Sequence, residues 1–188
     1  MKVDLKMKEF ERLCVNVVND FEIPNEKRKA LRVLLNSCFP DYFPQREYFK
    51  QIPKFRYLVW NEEKLIAQMG VEDRVINVGG DIVRIFGVID LCVEDCYRSN
   101  NIATNLLIML ENLGQQNGIE FIIVFANDHK LYRKNGYKIV TNICRWLAID
   151  ELKSVDIFEQ PLTDCFMVKS LSPKPWNDGI VDLLGYLF

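Results

Sequence analysis

The hexapeptide Arg98-Ser99-Asn100-Asn101-Ile102-Ala103 stands between an apolar stretch ending at Val93 and an amphipathic one running to Asn117. A guanidinium, small polar residues and a helix start together have the composition of an anion site. The first N–H groups of a helix lack intrahelical acceptors, and its dipole favours negative charge there. No acid follows Asn101 until Glu111. That leaves the first turn open to an external anion, although Asn caps alone account for the same pattern.

Other groups could move protons. Asp90 lies inside the apolar run "GVIDLCV". Pointed into a cleft, its carboxylate would be raised by burial into a useful range for a base. Pointed outward, it is a solvated charge. Alternation does not decide, because a bulge there would shift register. Glu72 and Asp73 on the preceding strand are alternatives, as surface charges or substrate contacts. Cys92 reads as a buried free thiol. His129 is the sole histidine, and the six cysteines contain no C-x-x-C pair, so a zinc site is poorly supplied and no metal is expected.

The elements that must position these groups follow from period and punctuation. Arg12 to Val18 reads as a strand. A helix follows, with Asn25 as cap and an apolar stripe at Ala30, Leu31, Leu34, Leu35 and Cys38, closed by Pro40. "DYFPQREYFKQI" reads as a second short helix closed by Pro53. "FRYLVWN", "LIAQMGVEDRVINV" and "IVRIFGVIDLCV", joined by "EEK" and a Gly79-Gly80-Asp81 turn, form an antiparallel meander. A helix from about Asn101 to Asn117 presents Ile102, Ala103, Leu106, Leu107, Leu110 and Leu113 on its apolar face. Glu120 to Ala126 is nearly all apolar, as in a strand buried on both faces. A short helix ends at Gly136, and "YKIVTNICRWLAI" and "CFMVKSL" supply two more strands. The tail "SPKPWNDGIVDLLGYLF" reads as irregular, then apolar. The expected fold is α/β, a mixed, mostly antiparallel sheet flanked by helices, in one domain over 1–188.

With 188 residues, 49% hydrophobic and 27% charged, the chain has the composition of a soluble globular domain. The net charge of −2, from 24 basic and 26 acidic residues, gives no general pull toward nucleic acid or an anionic membrane. No run reaches transmembrane length and the N-terminus lacks a signal-type apolar core, so a cytoplasmic protein is expected.

"LCVEDCYRSNNIATNLL" resembles the acyl-coenzyme A signature of the GNAT acetyltransferase superfamily. In that family an apolar strand ends in valine, and a Q/R-x-x-G-x-G/A loop holds the pyrophosphate on its N–H groups. Arg98 matches the first position and Ala103 the last. Asn101 replaces the usual Gly, and Asn is the residue after Gly that best tolerates positive φ. "ANDHKLYRKNGYKIV" is similar to the family's later motif, with Leu131-Tyr132, Arg133-Lys134 and Gly136-Tyr137 in place. The resemblance implies an N-acetyltransferase fold with acetyl-CoA as co-substrate. It implies donor contacts at Leu91, Cys92, Val93, Arg98, Ser99, Asn100, Asn101, Ile102, Ala103, Asn127 and Tyr132. A main-chain N–H near Cys92 or Val93 would polarise the thioester carbonyl. Tyr132 would protonate the leaving thiolate, the alternative being a partly buried helix aromatic. Asp90 is then the candidate base.

The resemblance also implies an acceptor region drawing on Asp41, Tyr42, Phe43, Tyr48, Glu72, Asp73, Trp176 and Asp178. Acids with aromatics suit a cationic or polyhydroxylated amine. "PWNDGIVDLLGYLF" is similar to the W-x-D-G ending of aminoglycoside 2′-N-acetyltransferases, and "LLNSCFPDYF" to their N-terminal half. The expected function is acetyl transfer to a primary amine of a small molecule, aminoglycoside-like. The alternatives are a non-catalytic acyl-CoA-binding or interaction module and an acetyltransferase for a protein or peptide amine. Exposed strands and the apolar tail suit a homodimer.

Overall fold

The structure is a computed structural model describing residues 10, 12–42 and 45–188. Phe43, one of the acceptor candidates, lies outside the described residues. The fold is α/β with a mixed sheet. The chain divides into two compact units, Met1–Val71 with Ile89–Leu107, and Glu72–Val88 with Ile108–Phe188.

In the first unit, β1 (Cys14–Asn19) pairs antiparallel with β2 (Phe55–Asn61), Cys14 opposite Trp60 and Asn19 opposite Phe55. β2 returns through a two-residue turn, with Glu62 at φ 53°, into β3 (Lys64–Val78). Helix α1 (Asn25–Cys38) buries Leu31, Leu34 and Leu35. These join Ile23, Leu58, Trp60, Leu65 and Cys92 in one apolar cluster. Asn25 is not the cap expected of it. It opens the helix, and Pro24 occupies the cap position without a side-chain bond; proline supplies the fixed φ that suits a helix entrance.

The expected second helix is not formed in the described part of its range. Residues 41–42 and 45–52 are turns, bends and irregular backbone, and Gln45 has φ 61°. The left-handed backbone at Gln45 cannot continue a right-handed helix, which outweighs the aromatic spacing.

Along the sheet the order is β6 (Lys138–Ile139), β9 (Phe166–Ser170), β5 (Phe121–Phe125), β4 (Asp81–Val93), β3, β10 (Val181–Tyr186), β7 (Ile143–Asp150) and β8 (Lys153–Pro161). β4 (Asp81–Val93) runs parallel to β5 (Phe121–Phe125), Ile85 opposite Phe121 and Val88 opposite Val124. Helix α2 (Ile102–Gln116) links the two strands. After α3 (His129–Lys134), the expected single strand over 137–149 is two, β6 (Lys138–Ile139) and β7 (Ile143–Asp150). The break is at Asn142, whose side-chain amide donates to the carbonyls of Asn177 (3.0 Å) and Gly179 (2.6 Å). β8 (Lys153–Pro161), absent from the sequence expectation, is exposed along its length. Its apolar residues Val155, Ile157 and Phe158 are exposed, so no buried face marks it. β9 (Phe166–Ser170) pairs with β5 and β6.

The tail is more ordered than its composition implies. β10 (Val181–Tyr186) inserts between β3 and β7, antiparallel to the first and parallel to the second. Its Val181 and Leu183 join Ile76, Val78, Phe121, Trp146 and Phe166 in the second unit's core. Gly79, at φ 61°, must be small because a Cβ there would meet the Asn177 amide at 2.4 Å. Gly179 is equally constrained, since its Cβ would lie 2.5 Å from the Gly79 Cα.

Candidate functional site

β4 is extended until Asp90, which takes φ 49°. Left-handed backbone at a non-glycine residue interrupts alternation, so the side chains of Ile89 to Cys92 cannot be placed by counting in twos. The kink has a partner: the Gln68 amide donates to the Asp90 carbonyl. Gln68 in turn accepts from the Arg56 guanidinium (3.0 Å), and Arg56 Nε donates to Asp20 (2.7 Å). Arg56 is wholly buried, and its remaining arm donates to the Glu47 carbonyl at 2.6 Å.

The Asp90 carboxyl is half-buried, and its Oδ2 is buried without a hydrogen-bond partner. Burial pushes its pKa up to about 6, against the opposing pull of Arg56 and Lys50. A carboxylate balanced there can take a proton near neutral pH.

Beyond Val93 the chain makes one 3-10 turn, Asp95–Tyr97, and reaches the anion-type loop. Arg98 is exposed; its Nε donates to the Val93 carbonyl (3.2 Å) and it pairs with Asp95 at 2.8 Å. Ser99 has φ 65° and Asn101 φ 60°. The Asn101 carbonyl accepts from Asn105 N at 2.9 Å, the first helical bond of α2. Ile102, buried, pins the helix start, and the first turn carries no acid. A mobile-looking Gly is thus unnecessary at position 101, because Asn adopts the left-handed conformation the loop uses. A pyrophosphate fits this donor set: an exposed guanidinium and a helix start free of carboxylates. Leu91 and Val93 are half-buried and Cys92 buried. Asn100 and Ala103 are half-buried in the same segment. Asp41 is exposed, as is Tyr42, which packs edge-on against Phe49 at 5.3 Å.

The second unit holds the other candidates. Tyr132 is buried on α3, edge-to-face with Tyr137 at 5.5 Å. Burial, with Asp128 adding to it, raises its hydroxyl above the usual tyrosine value, so it holds its proton at neutral pH. Asn127 is exposed. His129 opens α3 and meets the Asp164 carbonyl at 2.6 Å.

Glu72 is buried and doubly engaged. It accepts from the Tyr186 hydroxyl (2.7 Å) and from Arg74 Nε (3.1 Å), whose guanidinium lies 3.8 Å from the Tyr186 ring centroid. Asp73 takes a two-pronged bond from Arg84, at 3.0 and 2.7 Å. Trp176 packs edge-on against Phe121 (5.0 Å) and donates to Asn142 at 2.9 Å, while Asp178 is exposed. The Trp-Asn-Asp-Gly run therefore also has a packing reason, through Trp176 and Gly179. Among the described residues no group of three His, Cys, Asp or Glu side chains is gathered as a metal site. No helix among them is long and apolar enough to cross a membrane.

Sequence reasoning missed Arg56, Gln68 and Asp20. The signal was present: a charge in "FRYLVW" and an amide in "LIAQMG" each interrupt a run otherwise buried.

The model of the acetyltransferase (GNAT) domain matches residues 22–140. No curated protein matches the chain. Among solved structures, a GNAT family N-acetyltransferase (YhbS) from Escherichia coli in complex with CoA is similar at 17% identity. The match covers 92% of this chain and 89% of that one, with a TM-score of 0.63. An aminoglycoside 6′-N-acetyltransferase complexed with coenzyme A is similar at 18% identity over 85% of this chain and 99% of that one, with a TM-score of 0.58. A GNAT family acetyltransferase from Brucella melitensis in complex with acetyl-CoA is 11% identical over 89% and 94%, with a TM-score of 0.56. The strand, the kinked Asp90, the Arg98 loop and the acid-free start of α2 all fall inside the matched residues, and the chain belongs to the GNAT acetyltransferases.

Proposed function

We propose that the protein transfers an acetyl group from acetyl-CoA to a primary amine of a small molecule, with an aminoglycoside-like amine as the acceptor class. The observation that carries the donor assignment is the loop conformation. Ser99 and Asn101 are both left-handed, Arg98 is exposed, and α2 opens without an acid. The similar structures from Escherichia coli and of the aminoglycoside 6′-N-acetyltransferase were solved with CoA, which supports the same reading.

In this proposal Arg98 and the residues from Ser99 to Ala103 bind the pyrophosphate, and Leu91, Cys92 and Val93 offer main-chain groups to the pantetheine arm. Asn127 adds a donor contact. Acetyl-CoA supplies an activated acyl thioester. Asp90 Oδ2, without a partner, takes a proton from the acceptor ammonium, directly or through water, so that a neutral amine attacks. The Tyr132 hydroxyl protonates the leaving sulfur. Asp41, Tyr42, Glu72, Asp73, Trp176 and Asp178 are the acceptor contacts of this reading.

The same reading treats 1–188 as one acetyltransferase domain, supported by a family match that runs through both compact units. It also includes a homodimer, supported by the exposed Val155 and Ile157 of β8, and a cytoplasmic site of action, supported by six free thiols.

Thermal denaturation with acetyl-CoA tests the donor. Ligand binding to the native state alone adds about 2.7 kcal/mol at a hundred-fold excess over Kd. No shift at millimolar acetyl-CoA overturns the assignment. Thiol release over a panel of aminoglycosides, polyamines and peptide amines tests the acceptor; turnover confined to peptides overturns the small-molecule class.

A further inference from the structure

We propose that Gln68 is a positioning residue for the acetyl transfer: its side-chain amide, held by Arg56, sets the bend in β4 that presents the Asp90 carboxyl to the acceptor amine. This rests on the reading of Asp90 as the base, and Gln68 acts through Asp90 without touching substrate. In a regular strand Asp90 would share a face with Phe86 and Val88, both buried and apolar. It takes φ 49° instead, a conformation that a Cβ disfavours and that persists only where the surroundings impose it.

The imposing contacts come from β3. The Gln68 amide donates to the carbonyl of Asp90 itself. Two residues on, Gly70 admits the preceding carbonyl: a Cβ there would lie 3.3 Å from Ile89 O and 2.9 Å from Pro53 Cγ. β3 thus lies against two consecutive carbonyls of the bend. The Gln68 oxygen accepts from Arg56 at 3.0 Å, and a guanidinium has no acceptor to offer, so the NH2 is left for Asp90. Arg56 cannot turn away, because its other nitrogens donate to Asp20 (2.7 Å) and to the Glu47 carbonyl (2.6 Å). Gln68 and Arg56 are both fully buried, where losing a partner is costly.

The bend leaves Asp90 Oδ2 buried and without a partner. Burial pushes the Asp90 pKa up, and the two cations that act on it, Arg56 of β2 and Lys50 of the loop before β2, pull it down. The Cys92 thiol on the same strand is raised in turn and stays neutral. Without the Gln68 amide the Asp90 carbonyl loses its donor. The strand then relaxes toward extended backbone, and the carboxyl exchanges its enclosed position for water.

The test uses the full chain with no acceptor present. Carbon-13 labelling of the aspartate carboxyls follows each by NMR against pH, and Asp90→Asn identifies the Asp90 signal by its loss. Wild-type Asp90 should titrate at about 6. In Gln68→Met, which keeps the side-chain length and removes the amide, that signal should titrate lower by on the order of one pH unit, a tenfold loss of proton affinity. A purely structural role would lower the melting temperature and leave the titration in place, so a folded Gln68→Met with an unmoved Asp90 signal overturns the proposal. The wild type supplies a second reading that needs no variant to fold. Gln68 is the one buried glutamine among the described residues, so with nitrogen-15 glutamine its side-chain amide alone should exchange slowly with solvent. Fast exchange of every glutamine amide overturns the proposal equally. Failure of the base reading shows separately: an Asp90→Asn protein that keeps its turnover in the thiol-release panel removes the base, and the proposal with it, whatever the two NMR readings give.

Discussion

The side chain of Gln68 holds the main-chain carbonyl of Asp90 at the point where β4 turns left-handed. Gln68 can do so because Arg56 fixes its orientation. The guanidinium takes the Gln68 oxygen, so the amide NH2 must face the strand. Arg56 is itself held by Asp20, and Arg28 bonds Asp20 from the other side at 3.1 Å. A buried polar relay thus determines the backbone at the residue with an unpartnered carboxylate oxygen. Such relays rigidify when every member is satisfied and are costly when one is removed.

Arg56→Met should therefore destabilise the protein by about 3–5 kcal/mol, the usual cost of stranding a buried partner of an ion pair. Urea denaturation reads this as a lower midpoint with an unchanged slope. A loss below about 1 kcal/mol would show that Arg28 alone satisfies Asp20.

Asp90→Asn should stabilise the protein at neutral pH. The folded pKa, about 6, lies above the ordinary value of 3.8 because of burial. The neutral acid is therefore favoured in the folded state. Its contribution is full below pH 3.8 and is lost as pH rises through about 6. At one pKa unit per 1.36 kcal/mol, ionisation at pH 7 costs the fold at most about 3 kcal/mol. Asn does not ionise, so wild type and variant should converge in stability below pH 3.8 and separate above pH 6. If Asp90 is the base, the wild-type rate climbs through pH 6 and the variant lacks that limb. A variant less stable at pH 7 contradicts the burial argument.

Asn101→Gly should be accepted, since Gly enters φ 60° without steric cost. Asn101→Val should not be, because a β-branched residue is an outlier there. Calorimetry with CoA and with pantetheine separates the loop's role from the strand's. Arg98→Ala should cost CoA about 1.5–3 kcal/mol, a roughly 10- to 150-fold rise in Kd, and leave pantetheine nearly unchanged. Equal losses for both ligands remove Arg98 from the phosphates.

Tyr132→Phe keeps the ring that packs on Tyr137 and removes only the hydroxyl. The melting temperature should hardly move. If the hydroxyl protonates the leaving sulfur, kcat should fall by roughly 10²–10⁴ with little change in KM for acetyl-CoA. Wild-type kcat on a substrate whose chemical step is rate-limiting returns Tyr132 to a packing role.

Local pattern carried much of this protein into view. The apolar stripe of α1, the Gly79-Gly80 turn, the uninterrupted "FIIVF" of β5 and the Arg98 to Ala103 loop are short-range features. Each is set by period, turn chemistry or a helix start, and each is legible from neighbours a few residues away. Other features depend on residues far apart in sequence. The conformation of Asp90 rests on Gln68 and Arg56, and the course of the tail rests on β3, β7 and Asn142. β8 carries no buried face to mark it, and the span after Pro40 has the aromatic spacing of a helix while Gln45 takes left-handed backbone. The ion pair of Arg56 with Asp20 links residues 36 positions apart, and no spacing rule connects them. A hydrogen bond across such a distance exists only once the intervening chain has packed. The sequence by itself therefore determined the elements and the chemistry they offer, and tertiary packing decided which side chains meet and which protons they hold.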